Sequence, residues 1–220
     1  MLRSTIAIFR KEVRQELRTK YALNTLLAFT GASLLLVLFT LSAQLLNPTP
    51  KSGLIWIIIL FAAMTGMART FVHETEKKTW DLLQLHANPS DVYTGKLLYN
   101  FVFLLVLLIL TFFFYLVMMD LQIVHPGYFI SAILFGAAGL SSVTTMVSAM
   151  IAKADRKGAV FSVLCIPLLV PLLLILTSTT KMALIDGDDG SGLNDIAALT
   201  GYCGTTIAAG VLLFDYIWED

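Results

Sequence analysis

Six stretches of the sequence stay apolar for twenty residues or more, and this constrains the fold more tightly than any motif in the chain. A helix needs about 20 predominantly apolar residues to cross the hydrocarbon of a bilayer, because lipid offers no partner to an unpaired backbone N–H or C=O. The stretches fall near residues 22–46, 53–72, 96–119, 128–152, 159–180 and 196–218. With 57% hydrophobic and only 14% charged residues, and a mean hydropathy of +0.81, the composition lies outside what a water-exposed surface carries. The expected fold class is all-α, a polytopic membrane protein whose six transmembrane helices form one domain over residues 1–220.

Loop charge gives the direction in which the spans run. With Met1 inside, the cytoplasmic segments hold Arg3, Arg10, Lys11, Arg14, Arg18, Lys20, Arg69, Lys77, Lys78, Lys96, Lys153, Arg156 and Lys157, thirteen of the fifteen Lys and Arg. Only Lys51 and Lys181 are left for the outer side. Excess Lys and Arg mark cytoplasmic loops, so both termini of this multi-pass protein are expected there. The formal net charge is zero, and no global basic field suggests a nucleic-acid partner.

The first twenty residues lack the short apolar core and small-residue cleavage site of a signal peptide. Ile6, Phe9, Val13 and Leu17 recur at spacings of three and four among basic residues, Glu12 and Glu16, which reads as an amphipathic helix. It is expected to lie on the cytoplasmic leaflet. It serves there either as an anchor for the first span or as a grip on a partner subunit.

The spans differ in character. The fourth carries Gly136, Gly139, Ser141, Ser142, Thr144, Thr145 and Ser148, and the sixth carries Gly201, Gly204, Thr205, Ala208 and Gly210. Small residues at this density let backbones approach closely, so both faces are expected to be buried in the bundle or in a dimer interface. The third span, FLLVLLILTFFFYLVMM, is bulky almost all round, as a lipid-facing helix is. Pro167 and Pro171 in the fifth remove two backbone donors and predict a kink, either in a moving element or as ordinary packing. Cys165 and Cys203 read as packing residues at mismatched depths rather than as a disulfide.

The longest cytoplasmic connection, residues 69–96, carries the functional signal. His73 to His86 reads as one short amphipathic helix with Trp80, Leu83, and with them Leu82 and Leu85, on an apolar face beside Glu74, Glu76, Lys77, Lys78 and Asp81. Asn88-Pro89-Ser90-Asp91 then ends it and caps the next helix. A surface helix with an exposed Trp must place it on the membrane or in a groove of another protein.

Much chemistry is absent from the sequence. It has no Gly-x-x-x-x-Gly-Lys-Ser/Thr loop, so nucleotide hydrolysis, if coupled to this chain, comes from a separate subunit. No catalytic constellation or metal-ligand cluster is visible, and the chain is expected not to be an enzyme and to bind no cofactor directly. His73 and His86 near the inner face and His125 in the outer loop have the chemistry of haem ligands, but they sit on opposite sides without a paired partner in sequence and read as ordinary surface residues instead.

Three segments resemble one known family. GLIWIIILFAAMTGMARTF at 53–71 is similar to its second span, which ends in Arg-x-Phe. KKTWDLLQLHANPSDVYTGKLL at 77–98 is similar to its coupling segment, with its Pro and the Lys that opens the next span. DRKGAVFSVLCIPLLVPLLL at 155–174 is similar to its span with two prolines four apart. The whole chain resembles the haem exporter protein B family (CcmB), the membrane permease of the cytochrome c maturation ABC system, related to ABC-2 type permeases.

The resemblance implies that Thr79, Trp80, Asp81, Leu82, Leu83 and Pro89 form a coupling helix and its exit, with Arg69 and Glu74 at its start and Lys96 opening the third span. Arg69 reads alternatively as a basic residue snorkelling to headgroups. The resemblance further implies a bacterial inner membrane, a separate ATPase that brings ATP, other maturation membrane proteins, a homodimer within a heteromeric complex, and haem or a haem-loaded periplasmic chaperone as the cargo handled. The same likeness fits an exporter of another substrate, and a non-transporting scaffold is the other class. The chain departs from the family pattern at Lys78, where Gly is usual, at Trp80, where Leu is usual, and at Ala68, where an acid often stands.

Overall fold

The computed structural model describes residues 2–40, 48–77, 79–152, 157–185 and 191–219. Among these the chain is helical and contains no strand: α1 (Leu2–Thr19), α2 (Tyr21–Thr40), α3 (Pro48–Met67), α4 (Val72–Glu76), α5 (Trp80–His86), α6 (Pro89–Met118), α7 (Pro126–Met150), α8 (Lys157–Leu184) and α9 (Ser191–Glu219). Six helices are long and apolar enough to cross a membrane, as the sequence predicts. The far end of the first expected span, residues 41–47, lies outside the described residues.

Local chemistry sets several boundaries. Pro89 and Pro126 stand in the first turns of α6 and α7, where a missing N–H costs nothing, and Asn88 and His125 before them are extended, as a residue before proline prefers. α6 therefore starts seven residues before Lys96, and that lysine belongs to its second turn instead of opening the span. Lys20, at φ 52°, turns the chain from α1 into α2. α8 continues as one helix through Pro167 and Pro171.

α7 is the centre of the bundle, packed by α3, α6, α8 and α9. Its small residues make this possible: a Cβ on Gly136 would collide with the Trp56 ring of α3. Trp56 in turn donates from Nε1 to Thr180 Oγ1 of α8 at 2.8 Å, and meets Phe112 of α6 edge-on at 5.6 Å between centroids. At the end of the bundle remote from α4 and α5, the Tyr115 hydroxyl donates to the Lys51 carbonyl at 2.8 Å, and the Lys51 ammonium to the Met119 carbonyl at 3.4 Å. The mainly apolar contacts of α6 leave Val106, Ile109, Phe113 and Val117 facing outward, as its bulky sequence suggests.

Candidate functional site

The 69–96 segment is not one helix. It forms α4, a turn, and α5, and the break follows from where the side chains must go. Glu74 on α4 faces the bundle and is 3% exposed, whereas Glu76 and Lys77 face out. On a straight helix from His73 to His86, Glu74 and Trp80, six residues apart, would point about 120° away from each other and could not share one buried face.

Glu74 is the centre of a buried ion cluster. Lys96 on α6, 1% exposed, donates to Glu12 Oε1 of α1 at 2.8 Å, to Glu74 Oε1 at 3.2 Å and to the Thr70 carbonyl at 2.9 Å. Its ammonium also lies 5.1 Å from the centroid of the Phe71 ring. Lys11 reaches Glu74 Oε1 at 2.5 Å, and the Thr79 hydroxyl donates to Glu74 Oε2 at 2.5 Å. A buried ammonium is tolerated only when its donors are met, and here carboxylates from two other helices and a carbonyl meet all three. The cluster thus ties α1, α4 and α6 together, with Thr79 joining the start of α5.

An aromatic cluster seats α5. Trp80 is 5% exposed and packs with Phe71, Tyr93 of α6, and Phe214 and Trp218 of α9. Centroids lie 5.3 Å apart for Trp80 and Trp218, 5.3 Å for Tyr93 and Phe214, and 5.0 Å for Phe71 and Phe214. Gln84 donates to the Trp218 carbonyl at 2.5 Å. The exposed-Trp expectation is corrected: this chain supplies the groove itself, through the last turns of α9. Leu83 packs against the cluster partly buried, while Leu85 stands 77% exposed.

Hydroxyls lock the same region to α7. The Phe71 N–H donates to Ser148 Oγ at 3.1 Å, Ser148 Oγ to the Ala68 carbonyl at 3.2 Å, and Thr75 Oγ1 to the Ala152 carbonyl at 3.0 Å. Asn100 of α6 donates to Thr145 Oγ1 at 2.7 Å. α1 is held as closely: Thr5 donates to Asp91 at 3.2 Å, and a Cβ on Gly95 would stand 2.8 Å from Ile8 Cγ2. The junction therefore joins α1, α4, α5, α6, α7 and α9, with Leu85 of α5 left exposed.

Among the residues singled out from sequence, Glu74, Thr79, Trp80 and Leu83 come together here, and Pro89 starts α6 beside them. Arg69 pairs with Glu76 at 2.7 Å on the surface. The side chains of Asp81, Leu82 and His86 lie outside the described residues, as does Lys78. His73 sits at the junction and His125 beyond the other end of α6, with its ring 5.9 Å from that of Tyr128. Among the described residues no three His, Cys, Asp or Glu could hold a metal ion.

Gly136 and Gly139 are packed tightly in α7, but a Cβ on Gly201 or Gly204 would meet nothing within 4 Å, and both glycines are exposed. Of the two expected places for this face, the bundle or a dimer interface, Gly201 and Gly204 do not take the first, whereas Gly210 does. Cys165 and Cys203 are both free and buried. Lys96, Glu12, Phe71, Phe214 and Trp218 were not read from sequence as parts of a site. The one signal for them was a lysine in the second turn of a helix that becomes apolar, which needs a carboxylate from elsewhere.

Six membrane-length helices joined at one end by the ion and aromatic clusters define a polytopic membrane protein. The family model described as CcmB protein matches residues 3–218, nearly the whole chain. The chain belongs to the CcmB family, whose members are membrane permease subunits and not themselves catalysts. A comparison with curated proteins gave no match.

Proposed function

We propose that this chain is the permease subunit of an ABC transporter of cytochrome c maturation, driven by ATP hydrolysis on a separate subunit that bears on α5. The observation that carries this reading is the two-sidedness of α5. One face is fixed by Trp80 and Gln84 to the end of α9, and the other presents Leu85, 77% exposed. A partner pressing on Leu85 would move a node already joined to α6, α7 and α9, so force would reach the spans without first being absorbed in a loop.

Loop charge supports placing both termini, and with them α4 and α5, on the cytoplasmic side of a bacterial inner membrane, where an ATPase works. Two copies of the chain would pair with two ATPase subunits and with other membrane proteins of the maturation system. The cargo handled is haem, or a haem-loaded periplasmic chaperone that the cycle releases.

The Leu85→Asp substitution tests the reading, because it charges the outward face and leaves the aromatic cluster intact. Co-purification with the P-loop ATPase of the same system should fall at least about tenfold, as loss of a hot-spot contact does, with the chain still inserted at normal level. Unchanged co-purification would overturn the assignment of α5. Trp80→Asp is the poorer test, since it would break the chain's own packing before it touched a partner.

A further inference from the structure

α1 has three faces, and one of them packs on α6. Successive residues of a helix turn by about 100°. Thr5, Ile8 and Glu12 face α6 through Asp91, Gly95 and Lys96. Ile6, Phe9, Val13 and Leu17 lie about 115° round from there. The bundle covers this stripe only in part: Phe9 and Val13 are half-buried, whereas Ile6 is 44% and Leu17 68% exposed. Arg10, Arg14 and Arg18 lie a further 90° or about that, with Lys11 at the edge toward Glu74.

Lys77, at the turn after α4, stands across from this third face. Together the five cations line an open recess of about 760 Å³. Lys11 is paired with Glu74 at 2.5 Å. Among the described residues no carboxylate lies within ion-pair distance of Arg10, Arg14, Arg18 or Lys77. Cations gathered from two elements with so little compensation favour an anion between them.

We propose that this recess holds the phosphate headgroup of an anionic phospholipid, whose acyl chains run down beside Ile6, Phe9, Val13 and Leu17. Two observations select a lipid over an acidic protein surface. The partly exposed apolar stripe adjoins the cationic face on the same helix, and an acidic protein would satisfy the charges but not the stripe. α1 also packs on the first turns of α6, just before its apolar run begins, and passes through Lys20 directly into the first span; it therefore lies at headgroup level. A lipid bound here bridges α1 and the turn before α5, so the charge of the leaflet bears on the junction.

The test uses the full chain in nanodiscs of phosphatidylcholine alone or mixed with phosphatidylglycerol, with native mass spectrometry of the lipid retained after mild delipidation. Phosphatidylglycerol should be retained at least about tenfold over phosphatidylcholine at low salt, and the preference should shrink as salt rises. Each cation near a charged leaflet contributes roughly fivefold, so Arg10→Gln, Arg14→Gln and Arg18→Gln together should bring the preference close to parity. The triple Arg→Lys variant should keep it, and Lys77→Gln, on a different element, should reduce it severalfold. Equal retention of the two lipids by the unaltered chain would overturn the proposal. So would an undiminished preference in the triple Gln variant, and if that variant instead lost the ATPase, the recess would be a protein-docking surface.

Discussion

α7 and α9 look alike in sequence and are used in opposite ways. Both are rich in Gly, Ser, Thr and Ala, the composition that lets membrane helices approach closely. In α7 every residue from Gly139 to Ala149 is buried, and Trp56 and Leu172 press against its glycines. In α9 the small-residue face of Gly201, Gly204, Thr205 and Ala208 looks outward, and the helix instead buries Cys203, Gly210, Phe214 and Trp218. One hydroxyl contact, Ser142 Oγ to Thr206 Oγ1 at 2.8 Å, joins the two helices along their middle. Small residues permit close approach; they do not supply the neighbour. α9 packs along α7 through its other face, where Leu199 and Cys203 are buried, and the aromatic cluster, which no small-residue pattern announces, seats its last turns.

The contrast between a closed interior and an open α9 face can be broken at several points. The largest effect is expected at the most enclosed charge. Lys96→Met leaves Glu12 and Glu74 facing each other in a buried site and should destabilise the chain by about 3–5 kcal/mol, read by SDS titration in mixed micelles. Adding Glu12→Gln should recover part of that loss; no recovery would mean that Lys96 acts by packing alone.

Next in size, Gly136→Leu forces a side chain into the Trp56 ring and should cost about 1–3 kcal/mol or more in the same titration. Gly201→Leu, the matching change on α9, should stay within about 0.5 kcal/mol for the isolated chain, since open space awaits the new side chain. If Gly201→Leu proved as damaging as Gly136→Leu, a neighbour would have to cover that face, and cysteine crosslinking at Thr205 would show whether it is a second copy. Smallest of all for stability is Leu85→Asp, whose effect should appear only in ATPase association.

Legibility in the sequence depended on the range of the forces involved. Helix number and span positions were legible because each span answers to the bilayer on its own residues: twenty apolar positions in a row decide the matter without reference to any other helix. Asn88-Pro89-Ser90-Asp91 marked the change from one helix to the next for the same local reason, whereas the start of α7 at Pro126 was read two residues late. The 69–96 segment was recognised as distinct, but its internal shape was not. Trp80 looked like an exposed anchor because four of its partners, Phe71, Tyr93, Phe214 and Trp218, are spread over the chain up to 138 residues away.

The buried ions make the same point more sharply. Nothing in the windows of Glu12, Glu74 and Lys96 says that the three meet, and on α1 the stripe that sequence periodicity picked out, Ile6, Phe9, Val13 and Leu17, is not the face that meets Lys96. Sequence alone determined that the chain crosses a membrane six times and carries a short polar-apolar segment between its second and third spans, since hydropathy and backbone satisfaction are properties of contiguous residues. Only tertiary structure decided which small residues are packed, which lysine is buried and where Trp80 goes. Those outcomes depend on pairing groups far apart in the chain, and no local pattern fixes a partner it does not contain.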